Sequence, residues 1–341
     1  MPLTRRSFLG LLGLLPAAQA LRVPSALAAA ETPTGPIPKR VFGRHADEKF
    51  SVIGFGGHTL ALAPTVEEAT SIAHYAIDQG VNFFDNCFEY HEGRAEVWMG
   101  QALAGGWRDK VNLMTKVCVH HGKKYEHPYT GSDKEIALQM LQEQLRRLKT
   151  DRIDLWMIHE VKDADVEPAY AKGGVIEALV EAKQKGLVRY TGFTGHDSPQ
   201  AHVKMIEGGF PFDATLMPVS VLGNTLQAKE FDTVVMPLLK QKGIACIGMK
   251  GFGGSKRANL HGLITINQVI NYALSYPDVT TQCIGIDSLT FAQQAVAAAR
   301  IAKPMSIEER EKFIASIQAR GGADYAVYLQ PGYHDGACCI S

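Results

Sequence analysis

Four residues of types that can move a proton stand at intervals through the first half of the chain. Asp85 and Tyr90 lie in the segment FFDNCFEYHEGR, Lys116 follows LMT, and His159 ends the run LWMIH. A tyrosine hydroxyl has an unperturbed pKa of about 10, so it donates a proton poorly at neutral pH. A nearby lysine ammonium favours the phenolate and lowers that pKa. A carboxylate paired with the lysine keeps it charged, and a histidine can orient a substrate carbonyl or share the proton.

This combination suits the reduction of a carbonyl group, which needs a hydride at carbon and a proton at oxygen. No side chain supplies a hydride, so the cofactor would be a reduced nicotinamide, NADPH or NADH. Each residue has a simpler explanation when it is taken alone. Lys116 could be a buried lysine paired with Asp85, and His159 could be a hydrogen-bonded core histidine. The occurrence of all four in order along the chain favours catalysis, with Tyr90 as general acid.

Short apolar runs alternate with helical patterns along the chain. NFFDNC, NLMTKV and IDLWMIH are apolar on both faces, as buried parallel strands are. Counting SVIGFGG, eight strand-then-helix units follow a short hairpin, which predicts a (β/α)8 TIM barrel with an N-terminal β-hairpin over residues 39–320. A doubly wound open sheet is the alternative, but the FGG at residues 55–57 is not the G-x-G-x-x-G that it requires. In a barrel, functional side chains lie where the strands end.

The sequence resembles the aldo-keto reductases over nearly its whole length after residue 30. GFGG, FFDNCFEYHEGRAEVWMGQAL, LMTKV, DRIDLWMIH, KQKGLVRYTGFTGH and IGIDS follow the order of that family. The resemblance implies that Tyr90 is the acid, that Asp85 and Lys116 tune it, and that His159 lines the oxyanion side. It also implies a small aldehyde or ketone as substrate. The residues at which it implies nucleotide contacts are Gly57, Thr194, Lys250, Gly285, Asp287 and Ser288.

The cofactor half of the pattern departs from the family. Residues 194–196 read Thr-Gly-His where a Ser-Asn-type pair usually grips the nicotinamide amide, and Leu216 replaces a glutamine. Lys250 and the glycines after it can still meet a pyrophosphate. Asp287 favours a ribose with a free 2′-hydroxyl, which weakly favours NADH. These departures keep open a second hypothesis, a catalytically weak nucleotide-binding or sensing protein on the same scaffold.

The N-terminus reads as an export signal of the twin-arginine type. Arg5 and Arg6 precede SFLG, an apolar run follows, and small residues lead to a cleavage site near Ala28 or Ala30. This predicts a signal over residues 1–30, a linker over 31–38, and a protein exported folded to the periplasm or beyond by the twin-arginine machinery. An uncleaved anchor or a chance arginine pair are the alternatives. Residues 321–341 are predicted to be an irregular tail.

Composition excludes several partner classes. The 341 residues carry 35 Lys and Arg against 35 Asp and Glu, so neither a nucleic-acid surface nor a polybasic membrane patch is expected. No stretch after the signal approaches the roughly 20 apolar residues of a membrane span. Stable membrane insertion is therefore not predicted.

Cysteine spacing gives no metal motif. None of the six cysteines forms a C-x-x-C pair, and no histidines and carboxylates cluster along the sequence, so no metal is predicted and a metal-dependent barrel enzyme is the least favoured alternative. Cys118, Cys246 and Cys283 stand in apolar runs and are predicted to be small core residues. The adjacent Cys338 and Cys339 have no assigned role.

Overall fold

The structure is a computed structural model that describes residues 34–119, 128–224, 231–255, 259 and 261–330. The strands in this part of the chain are β1 (Lys39–Phe42), β2 (His45–Ser51), β3 (Ile53–Gly56), β4 (Phe83–Asp85), β5 (Asn112–Val117), β6 (Ile153–Ile158), β7 (Val188–Thr194), β8 (Ala214–Pro218), β9 (Ala245–Met249) and β10 (Val279–Gly285). The predicted signal, residues 1–30, lies outside the described residues.

Helices separate the strands from β3 onward. They are α1 (Gly57–Leu60), α2 (Val66–Asp78), α3 (Arg94–Ala102), α4 (Asp133–Arg147), α5 (Val166–Tyr170), α6 (Val175–Gln184), α7 (Pro199–Glu207), α8 (Val221–Asn224), α9 (Met236–Lys242), α10 (Ile266–Leu274), α11 (Leu289–Arg300) and α12 (Ile307–Ala319). Local sequence sets several of the boundaries. At the start of α4, for example, the Ser132 hydroxyl accepts from the Glu135 amide, and the Glu135 carboxylate accepts from the Ser132 amide.

Strands β3 to β10 pair in parallel and close into a barrel in the order β10-β3-β4-β5-β6-β7-β8-β9. Strands β1 and β2 form a separate antiparallel hairpin. The predicted TIM barrel with an N-terminal hairpin is therefore confirmed. Because parallel strands in a barrel run the same way, the carboxyl ends of β4, β5 and β6 meet at one end.

The hairpin closes the opposite end of the barrel. Phe42 and Phe50 stack with ring centroids 4.4 Å apart, and Phe50 stacks on Phe83 at the start of β4 with centroids 5.0 Å apart. Arg44 beside the hairpin donates to the carbonyl oxygen of Phe212, just before β8, at 2.7 Å. Apolar side chains fill the barrel above this plug. Access to the interior is therefore from the carboxyl ends of the strands.

The start of the predicted tail packs on the barrel's carboxyl end. Two short 3-10 turns cover Gly322–Tyr325 and Val327–Leu329, and the Val327 amide donates to the Gly253 carbonyl at 2.9 Å. Cys338 and Cys339 lie outside the described residues. Across the part of the chain that the structure describes, none of the helices has the length and apolar character needed to span a membrane.

A buried carboxyl on α3 connects the helix layer to strand β5. Glu96 is fully buried, and its Oε1 accepts from Thr115 Oγ1 at 2.6 Å and from Gln144 Nε2 at 3.0 Å. Its Oε2 lies 3.2 Å from Arg147 Nη1. Gln144 Nε2 also donates to the Lys116 carbonyl at 2.8 Å. Burial raises the pKa of Glu96 to about 7, although the Thr115 hydrogen bond and the Arg147 charge oppose that rise.

This shift predicts a pH-dependent stability. A carboxyl with a raised folded pKa contributes stability that is fully present below the unfolded pKa of about 4.3 and is lost as the pH rises through the folded value. We expect the free energy of unfolding to lose on the order of 3 kcal/mol from this group between pH 4 and pH 8. In Glu96→Gln that part of the loss should disappear. Urea unfolding of both proteins across this range measures it, and parallel stability profiles would contradict the assignment.

Candidate active site

A buried lysine joins the predicted proton-transfer groups at the carboxyl end of the barrel. Asp85 is the last residue of β4, and Lys116 lies on β5 with its side chain 1% exposed. Lys116 Nζ donates to the Asp85 carboxylate, to the Asn86 carbonyl at 2.6 Å and to Tyr90 Oη at 3.0 Å. Burial opposes the charge of Lys116, but the Asp85 carboxylate, through its charge and its hydrogen bond, together with Cys87 and Cys283 raises the pKa of Lys116. The lysine is therefore a fixed cation against the tyrosine oxygen.

Tyr90 begins a strained turn. The three residues after it have left-handed backbone, with φ of 53° at His91, 56° at Glu92 and 87° at Gly93. Left-handed φ at a residue other than glycine costs about 1–3 kcal/mol, and such strain persists where the surroundings over-determine it. Here the surroundings include His91 Nε2, 2.8 Å from the His58 carbonyl oxygen. The His58 ring also meets the Tyr90 ring edge-on, with centroids 5.1 Å apart, a contact that the sequence does not reveal.

The structure places His159 directly after β6 and beside the tyrosine. Its ring centroid lies 6.0 Å from that of Tyr90, in an edge-to-face arrangement. Its Nδ1 is 2.9 Å from Glu89 Oε1, 3.3 Å from Cys118 Sγ and 3.5 Å from Cys87 Sγ. We call Cys87, Glu89, Cys118 and His159 the thiol–histidine cluster. All four predicted proton-transfer residues thus converge, but His159 belongs to the cluster as well.

The ionisable groups of the thiol–histidine cluster have strongly shifted pKa values. Burial opposes the Cys87 thiolate, yet the hydrogen bond with Cys118 and the charge of His159 prevail and lower the pKa of Cys87 to about 6. Burial likewise opposes a charged His159, but Cys87 and Glu89 raise its pKa well above the usual value. Burial and the Cys87 hydrogen bond raise the pKa of Cys118. The cluster therefore favours a charged Cys87 and a charged His159 over a charged Cys118.

Sequence spacing did not reveal this cluster. The prediction that Cys118 is a core residue is correct in burial, but its sulfur faces an ionisable group. The premise that histidine and carboxylate ligands do not cluster also fails in three dimensions, because the ligand atoms of the four residues lie within 4.8 Å of one another. The spacing of the cysteines could have indicated the cluster. Cys87 follows Asp85 by two residues and Cys118 follows Lys116 by two, and in an extended chain residues two apart point to the same side.

Part of the predicted set of cofactor-binding residues lines an open cavity above Tyr90 and Asp85. Lys250, Gly285 and Asp287 line it, together with Gly251 and the half-buried Cys283. These residues stand at or just after the ends of β9 and β10. Half of the predicted cofactor residues therefore share a cavity with the predicted acid.

The other three predicted cofactor residues are not among those lining this cavity. Gly57 begins α1, where a Cβ would lie 2.6 Å from the Asp85 carbonyl oxygen. Thr194 is buried at the end of β7, and its hydroxyl accepts from the Glu160 amide at 3.0 Å. Ser288 caps α11 by accepting from the Phe291 amide. Each has a structural task, and their contacts with a nucleotide stay predictions; Gly56 lines the cavity beside Gly57.

The structure gives a packing reason for Gly195 and shows the surroundings of residues 196 and 216. A Cβ at Gly195 would lie 2.8 Å from the Val161 carbonyl oxygen and 2.8 Å from His202 Cε1, so a larger residue does not fit. His196 is buried between two carboxylates, with Nε2 3.2 Å from Glu160 Oε1 and Nδ1 2.5 Å from Asp197 Oδ1. Leu216 is 2% exposed and lines the cavity beside Tyr90. This wall of the cavity is apolar where an amide-binding side chain was expected.

Comparisons with known proteins agree on one family. The profile of the Aldo/keto reductase family matches residues 52–260, which is more than half of the chain. The chain is 32% identical over 158 residues to YqkF, an uncharacterized oxidoreductase of Bacillus subtilis, covering 46% of this chain and 48% of that protein. It is 28% identical over 214 residues to probable aldo-keto reductase 1 of Glycine max, covering 60% of this chain and 58% of that one. The chain thus spans about half the length of the curated relatives that it matches.

Solved structures agree in fold. The holo form of aldo-keto reductase AKR11C1 from Bacillus halodurans superposes with a TM-score of 0.67 at 24% identity, covering 82% of this chain and 96% of that one. An aldo-keto reductase structure from Pseudomonas aeruginosa, described as PA4992, gives a TM-score of 0.61 at 19% identity, covering 77% and 95%. The barrel of this chain has the same architecture as these structures, and the family profile matches more than half of the chain. The chain therefore belongs to the aldo/keto reductase family.

Proposed function

We propose that this protein is an NAD(P)H-dependent oxidoreductase that reduces an aldehyde or ketone to an alcohol, with Tyr90 as the general acid. The observation that carries the proposal is the position of Lys116 Nζ, which contacts both the Asp85 carboxylate and Tyr90 Oη beneath an open cavity. The purified chain should consume a reduced nicotinamide, followed by its absorbance, in the presence of small aldehydes. A lack of turnover across a panel of aldehydes and ketones would contradict it.

The chain's own groups account for proton delivery. Tyr90 lines the cavity, and its hydroxyl would give its proton to the oxygen of the carbonyl as negative charge develops there. Lys116 stabilises the phenolate that remains, and Asp85 holds Lys116 in its charged form. A reduced nicotinamide, when bound, supplies the hydride.

The cavity's residues fit a nucleotide better at its phosphates than at its amide. Lys250 and Gly251 follow β9, and a Cβ at Gly285 would lie 2.9 Å from Thr59 Cγ2, so a side chain at residue 285 would crowd Thr59. A cation beside exposed backbone amides is a suitable phosphate site. The floor near Tyr90 is apolar at Leu216 and Met249. We therefore expect phosphate contacts and ring packing, rather than amide hydrogen bonds, to hold the cofactor.

Asp287 should influence the choice between the two nicotinamide cofactors. A carboxylate near the ribose accepts from a free 2′-hydroxyl and repels a 2′-phosphate. In Asp287→Asn we expect the NADPH to NADH affinity ratio to rise on the order of tenfold. Calorimetric titration measures it, with Asp78→Asn, an exposed position at the end of α2, as the matched control. An unchanged ratio in Asp287→Asn would place the ribose elsewhere.

A second candidate function is nucleotide binding or sensing without efficient turnover. It is favoured by Gly195 and Leu216, which replace the side chains that usually grip the amide. Titration with NADH and NADPH separates the cases when it is combined with the absorbance assay. Binding without turnover supports the sensor, whereas no binding of either nucleotide removes both candidates.

Export by the twin-arginine route is part of the proposal. It is supported by Arg5 and Arg6 and by the apolar run after them. A folded, cofactor-loaded enzyme is a suitable cargo because nicotinamide nucleotides are made in the cytoplasm. Cell fractionation tests it: with both arginines changed to lysine, the protein should remain in the cytoplasm.

A further inference from the structure

The thiol–histidine cluster gathers four Lewis bases at three successive strand ends. Cys87 and Glu89 follow β4, Cys118 follows β5 and His159 follows β6. Their exposed fractions are 0%, 6%, 3% and 3%, respectively. Sulfur, imidazole nitrogen and carboxylate oxygen are the ligand types that four-coordinate zinc takes from proteins.

Four of the six separations between the ligand atoms are close to the edges of a small tetrahedron. Bonds of about 2.3 Å to sulfur and about 2.0–2.1 Å to nitrogen and oxygen place ligand atoms roughly 3.4–3.8 Å apart. The two sulfurs are 3.5 Å apart, and His159 Nδ1 lies 3.5 Å from Cys87 Sγ and 3.3 Å from Cys118 Sγ. Glu89 Oε1 is 2.9 Å from the same nitrogen. Glu89 Oε1 also lies within 4.8 Å of both sulfurs.

The chemistry of the donor set also favours a cation. Thiolate sulfur, neutral imidazole nitrogen and carboxylate oxygen all donate electron pairs, and a metal ion would take the place of the protons that Cys87, Cys118 and His159 otherwise hold. Two sulfurs with one nitrogen select a borderline-soft metal over Mg²⁺ or Ca²⁺, which prefer oxygen, and the four-ligand set suits tetrahedral Zn²⁺.

We infer that Cys87, Glu89, Cys118 and His159 bind one divalent transition-metal ion of the zinc class, next to the proton-transfer residues. The ion ties the segment between Asp85 and Tyr90 to the ends of β5 and β6. Coordination through Nδ1 leaves the remaining imidazole proton of His159 on Nε2, which fixes the tautomer. The four residues therefore act as positioning residues for Tyr90 and Lys116. The inference does not depend on the proposed reaction.

Metal content and cobalt spectroscopy test the site directly. The full chain, purified under reducing conditions from zinc-replete medium, should carry about one zinc per chain by elemental analysis. After removal of zinc and addition of CoCl₂, it should show thiolate-to-cobalt charge-transfer absorption and the intense visible bands of a four-coordinate ion. The spectrum of the unaltered chain provides a test that does not require any variant to fold.

Matched variants assign the ligands. Cys87→Ser and Cys118→Ser should each lower zinc affinity by at least a factor of about ten, since even outer-shell changes cost 10–100-fold. Cys246→Ala, a buried cysteine outside the cluster, and Tyr90→Phe should both retain the metal. Tyr90→Phe thus distinguishes loss of carbonyl reduction from loss of metal binding. The inference would be overturned by a reduced chain without zinc or cobalt bands, by a Cys87–Cys118 disulfide whose reduction restores no metal uptake, or by Cys87→Ser with unchanged zinc content.

Discussion

Tyr90→Phe should lower the rate of carbonyl reduction by about 10²- to 10⁴-fold, the usual contribution of a positioned general acid. The substitution removes only the hydroxyl that accepts from Lys116 at 3.0 Å. The ring contacts with His58 and His159 remain available to phenylalanine, so the fold and the cavity should be retained. Single-turnover oxidation of a bound reduced nicotinamide is the measurement, because it isolates the chemical step from nucleotide binding.

A matched tyrosine at the closed end of the barrel controls for loss of a hydroxyl. Tyr190 packs its ring on Phe42 and His45 near the hairpin. Tyr190→Phe should leave the single-turnover rate within about twofold. If Tyr90→Phe also retains that rate while reduction proceeds, another group delivers the proton.

Lys116→Met should produce the largest loss of stability at the site. The methionine fills the space of the lysine stem but leaves the Asp85 carboxylate, whose side chain is 10% exposed, without its ammonium partner. Removing one member of a buried pair costs about 3–5 kcal/mol of unfolding free energy. Reduction should be lost as well, since no cation then stabilises the phenolate. Urea unfolding at neutral pH measures the stability, and circular dichroism identifies the folded population on which activity is scored.

The double variant Asp85→Asn/Lys116→Met removes both partners. It therefore separates the unfolding free energy lost when the Asp85 carboxylate lacks Lys116 from the contribution of the ion pair itself. It should recover a large part of the stability that Lys116→Met loses, because no carboxylate then lacks the Lys116 ammonium, while reduction stays absent. Since the folded pKa of Lys116 is raised, the lysine's contribution is complete below the unfolded pKa of about 10.4 and is lost as the pH rises through the folded value. Equal stability of Lys116→Met and the double variant would show that the Asp85 carboxylate does not depend on the Lys116 ammonium for its stability.

The barrel was predictable because its pattern is local. Each strand of the barrel has an apolar run, and several helices have their own periodicity and N-terminal caps, such as the Ser132–Glu135 box. The positions of Asp85 and Lys116 followed from the same rule, because side chains at the ends of neighbouring parallel strands are forced together. Tyr90 was found through its chain proximity to Asp85 and through resemblance to a family pattern. The left-handed turn that presents it could not be found in this way.

Side-chain contacts between distant residues were not predictable. Gly195 has no side chain because Val161 and His202 approach it within the helix layer, which no local pattern records. The raised pKa of Glu96 depends on burial against residues contributed by two other elements. Cys118 was assigned to the core because it stands in an apolar run, and burial is correct, but an apolar neighbourhood in sequence does not specify the neighbour in space.

The sequence by itself determined the barrel and the convergence of Asp85, Tyr90, Lys116 and His159, because strand polarity carries residues at strand ends to the same end of the barrel. Tertiary structure decided which atoms meet there. It placed Lys116 Nζ against Tyr90 Oη, and it turned His159 Nδ1 toward Cys87, Cys118 and Glu89. Side-chain rotamers and the strained turn after Tyr90 set these contacts. Both depend on packing against elements far apart in the chain, and no short-range pattern encodes that packing.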